Sequence, residues 1–243
     1  MTLSRYLPRI SACAVCCALM SVMSAPYASK GSVSLAISTR LVFHSDEKRV
    51  SFPALNDTDK PLLFHGQVLT RDKLRFSPNF IVTPEVVHLQ PGERKLAQVV
   101  QLNSQLPEDR ESLFYLRGHF IPAAAESESG AGIGLSTSYV LTMKMFYRPA
   151  KLKDDYDAID DVTHELDFKL NEKTLKVINK SAYFLTLNSL RSEKAEIPVP
   201  NEVSMIDPFG HVEIPLADPD IRSITWTLLN DGGFATKPLT QDL

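Results

Sequence analysis

The chain has 243 residues, room for one large domain or two of ordinary size. Apolar residues make up 44% and charged residues 23%, a balance that excludes wholesale disorder and collagen-like repetition. With 26 Lys plus Arg against 29 Asp plus Glu, a formal charge of -3, it lacks the basic footprint of a general nucleic-acid binder.

The first segment stands apart from the rest. Arg5 and Arg9 precede an uncharged, mostly apolar stretch from Ser11 to Ala25, and small residues follow. This is the pattern of a secretory signal peptide, with cleavage expected after Ala28, so residues 1–28 are read as signal. The run is shorter than the ~20 apolar residues that span a bilayer and no second one follows, so no stable membrane insertion is expected. A lipoprotein acylation box needs its apolar region before the cysteine, whereas here it follows Cys13. Cys13, Cys16 and Cys17 all lie in this segment, and the mature chain is expected to fold without disulfides on cores of its own. Without Arg5 and Arg9 the 26 basic residues become 24 against 29 acidic ones, a mature charge of -5.

From Ser32 onward, short runs rich in Val, Ile, Leu, Phe, Tyr and Thr alternate with turn residues, which is the signature of strands. The predicted strands of a first domain, residues 29–150, are 32–43, 50–55, 62–69, 80–83, 95–102, 113–121 and 136–147. Their number and spacing suit an immunoglobulin-like sandwich of ~100 residues. Pro149 ends the last of them, because proline cannot donate to a ladder and restrains the residue before it. Residues 151–162, with Lys151, Lys153 and five aspartates, read as a solvated acidic linker. The aspartates lack the glycine turn and terminal glutamate of a calcium loop. Runs at 166–170, 174–178, 183–190, 203–206, 211–214 and 223–229 predict a second, smaller β domain over residues 163–243. The expected class is therefore all-β, with helix scarce.

Little in the sequence points to chemistry. His44, His65, His88, His119, His164 and His211 are scattered singly, with no pair at metal-ligand spacing. There is no G-x-S-x-G elbow and no mature thiol nucleophile. Gly130, Gly132 and Gly134 lie in an Ala/Ser/Glu-rich loop without the strand and helix that a phosphate cradle needs. Asn56-Asp57-Thr58 and Asn179-Lys180-Ser181 match glycosylation sequons, a pattern that also arises by chance. No cofactor, metal or catalytic residue is expected.

Other segments are more specific. Leu106 to Tyr115, with Arg110-Glu111-Ser112 inside it, then Ile121-Pro122-Ala123 and Lys144-Met145-Phe146-Tyr147-Arg148-Pro149, closely resemble signatures of the periplasmic pilus-assembly chaperones, the PapD-like family. Thr39 to Phe43, Ile81 to Pro84, Leu89 to Gly92 and Leu229 to Gly232 fall around them in the family's order. The resemblance implies two immunoglobulin-like sandwiches in an L shape. It implies a periplasmic protein that binds and caps pilin subunits by donor-strand complementation and passes them to an outer-membrane usher without ATP. Arg40 and Lys144 match the family's anchor for the subunit's terminal carboxylate, although from sequence alone both read as solvated charges. Glu111, Arg148 and Asp231 match its interdomain salt bridge. Leu135, Thr137, Tyr139 and Leu141 match the strand that contacts the subunit. Their alternation fits equally a half-buried strand of the domain's own core.

Three positions depart from the family pattern: Arg117 stands where asparagine is usual, Gly118 where an aliphatic residue is usual, and Thr137 where the face is generally apolar. The mature chain also lacks the cysteine pair of the long-loop branch, which points to rod-forming subunits. Self-association of the free chain stays open. Two competing readings are an exported fibre subunit or adhesin module and a secreted hydrolase on a β scaffold. The Arg40/Lys144 pair and the second domain count against the former, the missing motifs against the latter.

Overall fold

The structure is a computed structural model that describes residues 31–37, 39–103, 105–123, 137–152 and 157–243. The first domain comprises β1 (Ser32–Ser34), β2 (Arg40–His44), β3 (Arg49–Asp57), β4 (Leu62–Leu69), β5 (Phe80–Thr83), β6 (Val86–Leu89), β7 (Arg94–Gln101), β8 (Ser112–Pro122) and β9 (Tyr139–Arg148). They form two sheets in the orders β1-β3-β7-β5 and β2-β9-β8-β4-β6. Period-2 alternation directs Phe52 and Ala54 of β3, Phe64 of β4 and Leu116 and Phe120 of β8 into the space between the sheets. Aromatic edges lock that core: Phe80 stands 5.0 Å from Phe43 and 4.9 Å from Phe114, and Phe64 lies 5.1 Å from Phe120.

The second domain opens on a single helical turn, α1 (Ala158–Asp161), followed by β10 (Leu166–Asn171), β11 (Thr174–Asn179), β12 (Leu185–Ser192), β13 (Met205–Ile206), β14 (His211–Pro215), β15 (Ser223–Leu228) and β16 (Leu239–Asp242). Its sheets run β10-β11-β14 and β13-β12-β15-β16. Trp226 packs 4.7 Å from Phe168, and its indole N–H donates to the Thr163 carbonyl at 3.2 Å, so the ring is buried with its polar atom satisfied.

Two expectations need correction, and the two sequons find a structural role. The predicted strand 32–43 is two strands in different sheets, because the chain crosses between them after Ser34. Ala36 takes φ 35° in the crossing. Residues 151–162 are only in part a solvated tether, since Ala158 and Ile159 are fully buried in the second core. Asn56 and Asn179 are 0% and 1% exposed and unavailable for glycosylation. Instead they pin equivalent corners of the two domains. Asn56 Nδ2 donates to the carbonyls of Lys60, Leu89 and Gln90, while its Oδ1 accepts from the N–H and hydroxyl of Thr58. Asn179 repeats this with the carbonyls of Tyr183, Ile206 and Asp207 and the N–H and hydroxyl of Ser181. The residue pattern of a sequon is here a buried Asx turn that satisfies strand-end backbone groups.

The domains meet over a small apolar cluster of Leu113, Phe146 and Phe184. Phe146 and Phe184 have ring centres 5.4 Å apart. The Glu111 N–H donates to the Ala182 carbonyl at 2.9 Å. On an exposed side, Arg71 and Asp207 add a bidentate pair at 2.7 and 2.8 Å. Among the described residues no helix is long and apolar enough to cross a membrane.

A cationic row and an open strand edge

Strand β9 organises the site. Its alternation turns Met145 and Tyr147 into the first core, which leaves Lys144, Phe146 and Arg148 on the other face, toward the second domain. β2 lies parallel to β9 in a register that pairs Arg40 with Lys144, and antiparallel β8 pairs Tyr115 with the same lysine. Arg40, Lys144 and Tyr115 therefore stand side by side on one face, across three neighbouring strands.

Arg40 is not a solvated charge: the residue is 7% exposed. Its guanidinium lies 5.1 Å from the Phe146 ring centre, donates to the Leu229 carbonyl at 3.2 Å and approaches Asp231 to 3.6 Å. Burial pulls its pKa below the usual arginine range, with Arg148 adding to the effect and Asp231 and Glu111 opposing it. Lys144 is half-buried, and among the described residues no carboxylate stands within ion-pair distance of it. Burial, then Arg40, then Lys73 hold its ammonium below the usual lysine range. An anion entering this row would meet two pre-positioned cations.

Glu111, Arg148 and Asp231 come together in one ion-pair network. Arg148 Nε donates to Glu111 Oε1 at 2.8 Å, and its Nη2 forms an ion pair with Asp231 Oδ2 at 2.8 Å. The other Glu111 oxygen accepts the Phe184 N–H at 2.8 Å. Burial works against the Arg148 charge, and the two carboxylates more than offset it, so the guanidinium is held above its ordinary range. Glu111 and Arg148 belong to the first domain, Phe184 and Asp231 to the second, so the network ties the two together.

Pairing of β2 with β9 begins at Arg40 and Lys144 and runs toward Arg148. Among the described residues no strand pairs with that side of Tyr139–Met143, and this stretch offers a free ladder edge. Tyr139, Leu141 and Met143 are half-buried and lean on the first domain's own core, whereas Val140 is 54% exposed and Thr137 is exposed. Leu135 lies outside the described residues. Sequence reading missed Tyr115 as the neighbour of Lys144 and Lys73 as a charge that reaches it. A lone lysine in a turn carries no periodic signal, and its place became visible only with the strand register.

Comparison with known proteins agrees with this architecture. Residues 34–153 match the family model described as pili and flagellar-assembly chaperone, PapD N-terminal domain, and residues 161–239 match pili assembly chaperone PapD, C-terminal domain. The probable fimbrial chaperone protein ElfD of Escherichia coli O157:H7 is 30% identical over 91% of this chain and 91% of its own length. The chaperone protein LpfB of Salmonella typhimurium is 28% identical over 93% and 95% respectively. Among solved structures, the E. coli chaperone DraB superposes with a TM-score of 0.74 at 26% identity, over 87% of this chain and 98% of that one. The Salmonella enterica SafB chaperone, solved in complex with the SafA pilin, gives a TM-score of 0.73 at 24% identity, over 87% and 96%, and shares the fold. Both domain models, full-length relatives and the two-sandwich fold lead to one assignment: the chain belongs to the PapD-like family of pilus assembly chaperones.

Proposed function

We propose that this chaperone works in the periplasm, where it captures pilin subunits at the free edge of β9 and delivers them to an outer-membrane usher without ATP. The observation that carries the reading is the Arg40–Lys144 register, which sets two cations where the open edge ends. A subunit lacking its final strand exposes both core and backbone, so a donated edge has to supply ladder hydrogen bonds together with apolar side chains. Tyr139–Met143 provides the backbone, and Leu135, Thr137, Tyr139 and Leu141 are assigned to the subunit's groove. Arg40 and Lys144 take the subunit's terminal carboxylate, and the Glu111–Arg148–Asp231 network keeps the second domain in place beside them. Cofactors have no part in this scheme, and nothing in it calls for catalysis.

Co-expression with pilins from the same host tests the proposal. A stable complex recovered from periplasmic extract with the wild-type chain, and lost with Lys144→Ala, is the expected result. Recovery of self-polymerised chain instead favours a fibre subunit.

A further inference from the structure

Lys73 stands on the opposite side of Lys144 from Arg40. It sits in the turn at 70–75 that follows β4, in a left-handed conformation with φ 60° that a side-chain-bearing residue adopts only when its surroundings hold it there. The turn does hold it. The Lys73 N–H donates to the Thr70 carbonyl at 2.8 Å and the Thr70 N–H to the Arg75 carbonyl at 2.9 Å. Asp72 accepts from the Thr70 hydroxyl at 2.6 Å and from the Leu74 N–H at 3.0 Å. The Lys73 ammonium is thereby placed 4.3 Å from the centre of the Tyr115 ring. Tyr115 is the register partner of Lys144, so Arg40, Lys144 and Lys73 form one cationic row with the tyrosine ring as its floor.

The row is short of negative charge. Asp72 is taken up by the turn and by Arg75 at 3.4 Å, and Asp231 is shared by Arg40 and Arg148. Among the described residues neither Lys73 nor Lys144 has a carboxylate at ion-pair distance. Arg40 already gives one donor to the Leu229 carbonyl. The two lysines have all their charge-paired positions to spare and Arg40 keeps further N–H donors, so an anion with two oxygens would be met from both sides of Lys144.

Resting on the carboxylate-anchor reading above, we propose that Lys73 is a third arm of the anchor: the subunit's terminal carboxylate lies between Lys144 and Lys73, with Arg40 closing it from the β2 side. Lys73 touches the ligand in this arrangement and sets the preference for a free chain end over any neutral one.

The probe is a synthetic peptide with the final-strand sequence of a pilin from the host's own fimbrial operon, made as the free acid and as the C-terminal amide. Calorimetry with the full chain is expected to show the wild type binding the acid more tightly than the amide. Lys73→Gln should weaken acid binding about tenfold and leave amide binding unchanged, the size expected for one lost charge-assisted hydrogen bond. Lys73→Arg should retain the preference, and Lys73→Met, a second neutral variant, should behave as Lys73→Gln. Thermal melts of each variant at the wild-type midpoint establish that the fold is intact. Equal loss for acid and amide in Lys73→Gln, or no loss at all, overturns the role of Lys73 while the wild-type preference leaves the anchor standing. A wild type that binds acid and amide alike overturns both.

Discussion

Asp231 and Arg40 come from different domains, and their charges approach to 3.6 Å. The same carboxylate reaches Arg148 at 2.8 Å, so Arg40 and the interdomain network share one counter-ion. Asp231→Ala is expected to leave two largely buried guanidinium groups undercompensated and to lower stability by about 3 kcal/mol. Urea unfolding measures that loss. A parallel fall in peptide affinity would show that Asp231 also holds Arg40 in position.

The two anchor cations should behave differently when removed. Lys144→Ala takes away a half-buried charge without an acidic partner, so stability should change by no more than ~0.5 kcal/mol while subunit capture loses ~2–5 kcal/mol. Arg40→Ala also deletes its bond to the Leu229 carbonyl and its stacking on Phe146, and should cost roughly 1–2 kcal/mol of stability as well. Melts beside co-purification separate the two effects.

Capture should depend on pH through Lys144. Burial, with Arg40 and Lys73, depresses its pKa, so the ammonium loses its proton below the ordinary lysine value of about 10.4 as pH rises. Affinity for a carboxylate-ended peptide is expected to fall across that window. The stability of the free chain should move the other way, because a cation destabilised by the fold ceases to count against it once neutral. Lys144→Arg should flatten both profiles, as calorimetry and melts at a series of pH values would show.

The buried asparagines make a sharp stability test. Asn56→Ala or Asn179→Ala removes five hydrogen bonds at a strand end, at an expected cost of about 3 kcal/mol each. Asp57→Ala, in the exposed middle of the first sequon, should change stability by ~0.5 kcal/mol or less. Denaturant midpoints of the three variants give the comparison directly.

Gly118 has its own packing reason. A Cβ there would come 2.9 Å from Leu35 Cδ2 and 2.9 Å from Phe64 Cε2. Leu35 fills the place that a side chain at 118 would need, which accounts for the departure from the family's aliphatic residue. Gly118→Val should cost about 1–3 kcal/mol by overpacking. Calorimetric melting checks it, and the paired change Leu35→Ala should return part of the loss.

Much of this architecture was legible in the sequence, because alternation along β3, β4, β8 and β9 is strong and the turns between strands carry proline, glycine or aspartate. The break after Ser34 was not. Val33, Leu35 and Ile37 keep their alternation through it, and what changes is the sheet they join, which periodicity does not encode. β6 and β16 carry too little apolar contrast to stand out, with Val86 and Val87 adjacent in the one and Leu239 the lone apolar residue of the other. At Tyr139 and Leu141 the pattern left core and donor readings level, and the structure places both residues half-buried against their own domain. Arg40 and Lys144 were marked by family likeness alone; their contact depends on a parallel register between residues far apart in the chain.

The point at which β2 joins β9 gives the open edge a stop. An extended chain laid beside Tyr139–Met143 advances by ~3.3 Å per residue until it meets the strand that begins at Arg40. For such a chain the edge would be a ruler with its zero at the cations. On the anchor proposed above, a partner would be measured back from its own last residue, so chains of quite different sequence would be held in the same alignment provided that they end at the same place.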